Sequence, residues 1–136
     1  MSLSMSLIEA DIITAKQAIA CYEKSKPKDM KNIAAYHLQQ AAEKLIKIQI
    51  RSELNNSNNA TLYTHNIEKL LAYSERMNMS INVPAYIKEN SLILTAWESS
   101  SRYEVGFRIR IDTLKRALSE IESWYKILYS NGLRET

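Results

Sequence analysis

Five stretches of this chain carry apolar residues at the alternating three-and-four spacing of an amphipathic helix. In the first, about residues 7–23, Ile8, Ile12, Ala15, Ile19 and Tyr22 recur at steps of 4, 3, 4 and 3. Ser6 followed by Glu9 reads as a capping box, which satisfies free N–H groups at a helix start, and Pro27 closes the stretch. The second, about 29–54, has Asp29 as its predicted N-cap and Ala34, Leu38, Ala41, Leu45 and Ile48 as its inner stripe. The Asn/Ser run at 55–59 stops it, because these side chains compete for backbone hydrogen bonds. The third, about 65–77, follows Thr64 as N-cap and turns Ile67, Leu70, Leu71 and Met77 inward. The fourth runs from Pro84 to about Ser100 on Ile87, Ile93, Leu94 and Trp97. The fifth, about 112–130, has the cleanest stripe: Ile111, Leu114, Leu118, Ile121, Tyr125 and Leu128, widened by Ala117 and Trp124. Gly132 lies just past it as a stop.

Composition turns these elements into a fold class. The chain has 136 residues, 46% of them hydrophobic and 24% charged, which fits one globular domain and excludes disorder along its whole length. With only 2 Gly and 2 Pro there are too few turn residues for a strand-rich fold. Glycine occurs only at 106 and 132, so neither a P-loop nor a dinucleotide-binding fingerprint can be written. The expectation is an all-α, up-and-down helical bundle of four main helices plus a shorter one, one domain over residues 7–130. The repeated Met-Ser-Leu at the start reads as an expression leader, so residues 1–6 are expected outside the domain, and 131–136 as a tail.

Charge and cysteine content narrow the chemistry. The net charge of +3 and pI near 8.9 permit an anionic ligand without demanding one. Cys21 alone makes no intramolecular disulfide and is expected as a small buried helix residue. No apolar run spans a bilayer and no signal peptide is legible, so the expected location is cytoplasmic, with no membrane association. A carboxylate-bridged di-metal bundle needs Glu-x-x-His pairs, but the residues three before His37 and His65 are Ala34 and Leu62. No metal and no cofactor are therefore expected.

Two basic features remain. Gln40, Lys44, Lys47 and Arg51 follow one another at steps of 4, 3 and 4 beside the second helix's apolar stripe, and His37 extends the row by one turn. Facing a groove, such a row grips phosphates through charge-assisted hydrogen bonds. Facing water, it is a solvated flank with Glu43–Lys47 as an ordinary surface pair. The second feature is Arg102, Arg108 and Arg110 interleaved with Tyr103 and Phe107, a composition that stacks on bases and holds phosphates. His65, opening the third helix, is either a ligand contact or a first-turn residue bonding backbone.

The run Tyr36-His37-Leu38-Gln39-Gln40-Ala41-Ala42-Glu43-Lys44-Leu45-Ile46-Lys47 resembles the second-helix hallmark of HEPN domains. Thr64-His65-Asn66-Ile67 with Leu70-Leu71, and Arg102-Tyr103, resemble two further segments of that family in the same order. The resemblance implies a four-helix core with a short extra helix, pairing as a homodimer, association with nucleotides or RNA, and partnership with a minimal nucleotidyltransferase in a toxin–antitoxin pair. In a binding reading, the ligand-binding residues are Gln40, Lys44, Lys47, Arg51, His65, Arg102 and Tyr103. Ribonuclease members carry Arg, four to six residues, then His. Here no His follows Arg102, and 13 residues separate Arg51 from His65, so no general acid or base fills that place. The expectation is a non-catalytic nucleotide- or RNA-binding module. The alternatives are a divergent ribonuclease without that motif and a structural dimerisation or adaptor domain.

Overall fold

The computed structural model describes residues 3–55, 60–103 and 108–134, the side chains of 100–103 excepted. Six helices form among them: α1 (Met5–Ser25), α2 (Lys28–Glu53), α3 (Ile67–Arg76), α4 (Ala85–Glu89), α5 (Ser91–Tyr103) and α6 (Ile111–Ser130), with one 3-10 turn at Ala60–Tyr63. No strand occurs among the described residues. Cross-links between elements fix the topology. Asp11 meets Lys44 and Lys115 meets Glu23, so α1 runs antiparallel to both α2 and α6. Thr95 bonds to Ile67 beside His65, and Lys31 bonds to Ile109 beyond the end of α5, so α5 returns antiparallel to α2. The four long helices α1, α2, α5 and α6 make the up-and-down bundle, and α3 and α4 fill the α2–α5 connection.

α2 is the axis of this arrangement. It packs on α1, α5, α6 and α3, and two stripes rather than one are buried along it. Ala34, Leu38, Ala41, Leu45 and Ile48 face one side, while Ala35, Ala42, Ile46 and Ile50 face another, all without exposure. A helix buried on several faces has few places for a polar side chain that meet water. At ~1.5 Å per residue its 26 residues span about 39 Å, the length of the core.

Helix ends differ in detail from the capping expected. Ser4, not Ser6, caps α1, its hydroxyl accepting from the Leu7 N–H at 3.2 Å. Leu3 and Met5 are buried and the Met5 N–H bonds to the Arg134 carbonyl, so these two residues pack with the bundle. Pro27 precedes α2, and Asp29 lies inside its first turn, where its charge suits the positive end of the helix. Asn66, not Thr64, caps α3, its side-chain oxygen accepting from the Lys69 N–H at 3.0 Å. α3 and α6 both end in Schellman-type closures, at Asn78 (φ 52) and Gly132 (φ 96), with Met79 N–H on the Ser74 carbonyl and Leu133 N–H on Leu128.

Three expectations are corrected here. The single fourth helix is split at Asn90 (φ −113, ψ 17), whose backbone N–H and side chain both bond to the Tyr86 carbonyl, at 3.1 and 2.8 Å. Ile93 and Met77 face solvent, as does Cys21. Ile93 sits on the open side of α5, whose packed face Leu94 and Trp97 occupy.

Between α3 and α4 the chain is irregular but strapped down. Gln49 of α2 brackets the Asn82 backbone, accepting from its N–H at 2.6 Å and donating to its carbonyl at 2.9 Å. Trp124 of α6 donates its indole N–H to that same carbonyl at 2.7 Å.

Candidate functional site

The polar row of α2 departs from both readings of it. Lys47 is 2% exposed, and its ammonium lies 2.7 Å from Glu43 Oε2, with Glu43 equally buried. The pair expected at the surface is therefore an ion pair inside the bundle. Such a pair survives only when its remaining hydrogen-bonding capacity is met. Gln39 meets part of it, donating to Glu43 Oε1 at 2.9 Å and to the His65 carbonyl at 3.3 Å. The His65 ring adds to it at Glu43: Nδ1 stands 3.1 and 3.3 Å from the two carboxylate oxygens, while 59% of its side chain is open to solvent. Gln40 extends the chain by donating to Gln39 Oε1 at 2.7 Å.

Lys44 points the other way, into the α1–α2 seam. Its ammonium lies 2.8 Å from Asp11 Oδ2, and His37 Nδ1 lies 2.8 Å from Asp11 Oδ1. Burial alone would push the Asp11 carboxyl up. The hydrogen bonds from His37 and Lys44, with their charges, outweigh that and hold it below the usual carboxylate range. Both histidines of the chain thus share one arrangement: Nδ1 on a buried carboxylate that also holds a lysine of α2. A carboxylate on Nδ1 fixes the orientation of the ring.

Arg51 is half-buried near the end of α2. None of the described grooves takes a residue from Gln40, Lys44, Lys47 or Arg51. Of the predicted ligand set, the structure joins Gln40, Lys47 and His65 in one network and places Lys44 in a second. Arg102 and Tyr103 close α5, their side chains outside the described residues, as are Gly106 and Phe107.

One group of open cations lies where α1 turns into α2. Lys26, in the left-handed conformation (φ 58), and Lys31 place their ammonium groups 5.3 and 5.0 Å from the centre of the Tyr22 ring. Lys31 also donates to the Ile109 carbonyl at 2.8 Å, which draws exposed Arg108 and Arg110 to the same end. Lys24 and Lys28 flank them, exposed. Glu23 is taken up by Lys115 at 3.0 Å, and the acidic groups left nearby are Asp29 and Asp112. Sequence reasoning found Arg108 and Arg110 and missed these lysines, because they straddle a helix break and share no periodic face. It also missed Asp11, Gln39 and Glu43, although each falls on a stripe position: Asp11 between Ile8, Ile12 and Ala15, and Gln39 and Glu43 beside Ala35, Ala42 and Ile46.

Among the described residues no group of three or more His, Cys, Asp or Glu side chains is placed to hold a metal ion, and no helix is long and apolar enough to cross a membrane. The fold and its polar interior define an all-α bundle whose central helix carries a buried ionic seam. No protein-family model, curated protein or solved structure matches the chain.

Proposed function

We propose that this chain is a HEPN-like, non-catalytic domain that binds RNA or nucleotides through the basic end of its bundle. In this reading it works in the cytoplasm as a homodimer and as partner of a minimal nucleotidyltransferase in a toxin–antitoxin pair. The observation that carries the binding reading is that Lys26 and Lys31 stand over Tyr22 while Lys24, Lys28, Arg108 and Arg110 are exposed at the same end of the bundle, where α5 ends in Arg102 and Tyr103. Phosphates are held by such cations, and an aromatic among them offers a stacking face. The family reading draws support from a second fact. Gln39, Glu43, Lys47 and His65, which lie in separate segments of the resemblance, meet in one hydrogen-bonded group. The hallmark residues then act as the frame of the domain, and Lys44 and Lys47 are structural rather than phosphate clamps.

Fluorescence anisotropy with a labelled single-stranded RNA tests the binding. Micromolar affinity that falls steeply with salt is expected, weakened at least tenfold when Lys24, Lys28, Arg108 and Arg110 are changed together to Gln, with the RNA left intact. No binding at physiological salt, or binding indifferent to those four changes, overturns it. Light scattering over a dilution series tests the dimer. The neighbouring reading frame and its copurification test the nucleotidyltransferase partnership.

A further inference from the structure

A second feature with ligand chemistry lies away from the basic end. The 3-10 turn Ala60–Tyr63 and α3 enclose a groove of about 300 Å³, lined by Thr61, Thr64, Lys69, Ala72, Tyr73 and Arg76. Positions 69, 72, 73 and 76 recur at the spacing of one helix face, so α3 presents an ammonium and a guanidinium to the same side. The opposite wall offers two hydroxyls. No carboxylate lines the groove. Glu68 and Glu75 each immediately precede one of the cations, and at about 100° per residue they sit around the helix from it.

Two local details organise these groups. The Arg76 guanidinium carbon stands 5.5 Å from the centre of the Tyr73 ring, and that ring is buried, so the guanidinium rests on a fixed platform. Thr64 Oγ1 already accepts from the Asn66 N–H at 3.1 Å, which leaves its O–H as a donor. Two cations and a hydroxyl donor, with no competing acid, match a compact dianion better than a carboxylate or a neutral ligand. The volume stands at the low end of small-molecule sites, about 300–1,000 Å³, and suits a small molecule rather than a polymer.

We infer that this groove binds the phosphate group of a small phosphate monoester, with Lys69 and Arg76 on the dianion and Thr64 donating to it. The inference stands apart from the RNA reading, because it shares no residue with the basic end. An NMR titration of the whole chain with AMP tests it, with inorganic phosphate and adenosine as separate arms. AMP and inorganic phosphate are expected to shift amide signals of residues 60–64 and 67–76, and adenosine to leave them in place. Lys69→Glu with Arg76→Glu should weaken AMP at least tenfold while the melting temperature holds. The milder pair Lys69→Gln and Arg76→Gln should weaken it in the same direction. The inference is overturned if adenosine binds as well as AMP, if the shifts map to residues 22–31, or if millimolar AMP shifts nothing. RNA binding that persists while AMP fails removes this groove alone, and the reverse removes the basic-end reading alone.

Discussion

Two sets of lysines in this molecule have opposite fates. Lys44 and Lys47 leave the middle of α2, and each ends within 2.8 Å of a carboxylate that the bundle covers. Lys24, Lys26, Lys28 and Lys31 crowd the α1–α2 turn, where Tyr22 and a backbone carbonyl are their described contacts. Residue type does not separate them, because the chemistry of the ammonium is the same. What separates them is how many neighbours the helix has at that level. Midway along α2, neighbouring helices close around the side chain and a counter-charge becomes obligatory. At the turn there is one wall and water, and a cation remains available to an incoming anion. The comparison warns against reading a basic row on a central helix as a binding surface.

Breaking the interior set should show the largest effects. Glu43→Ala leaves Lys47 buried beside an empty space, with an expected loss of about 3–5 kcal/mol in denaturant unfolding. Replacing both members by apolar residues of similar size, Glu43→Met with Lys47→Leu, should recover most of that loss, which distinguishes an ionic requirement from a packing one. Asp11→Ala should cost about 1.5–3 kcal/mol, since it strands charge-assisted partners that are only part-buried. The same carboxyl sets an acid dependence. Its native value lies below the ordinary 3.8, so the unfolded chain binds more protons in that window and stability rises with pH there. The contribution is complete above about pH 5 and fades as pH falls through the lower native value, and Asp11→Asn should flatten that part of the curve. Asn66→Ala removes the α3 cap, with about 1 kcal/mol expected. At the turn, Lys24→Gln or Lys28→Gln should move stability by no more than about 0.5 kcal/mol. Each should lower the salt slope of RNA binding by about 0.7. A destabilisation at the turn comparable to that of Glu43→Ala would erase the distinction between the two sets.

The bundle was legible because long amphipathic stripes dominate this chain and almost no glycine or proline interrupts them. Most of the stripe positions of α1 and α6 are buried, with Tyr22, Ile111 and Leu118 only half-buried. The second stripe of α2 was harder to see, because Gln39 and Glu43 stand in it where apolar residues would mark it. Polar residues at core positions are read as surface by any hydrophobic pattern, and only their partners reveal otherwise. His65 and Asp11 are far from Glu43 and Lys44 in sequence and come from other elements, so no spacing rule connects them. The break at Asn90 was missed for a related reason: it is a local turn with a side-chain bond to the Tyr86 carbonyl, which leaves the surrounding periodicity unchanged.

The bracketing of Asn82 by Gln49 and Trp124 reaches beyond its own loop. Its carbonyl is gripped from two long helices at once, so releasing it means giving up bonds to both α2 and α6. Hydrogen exchange at the Asn82 amide, which rests on Gln49 Oε1, should then be slower than at an open loop amide and should speed up in Gln49→Ala, although no regular structure surrounds it. A segment that looks like slack between two short helices serves as the clasp that keeps the central helix seated.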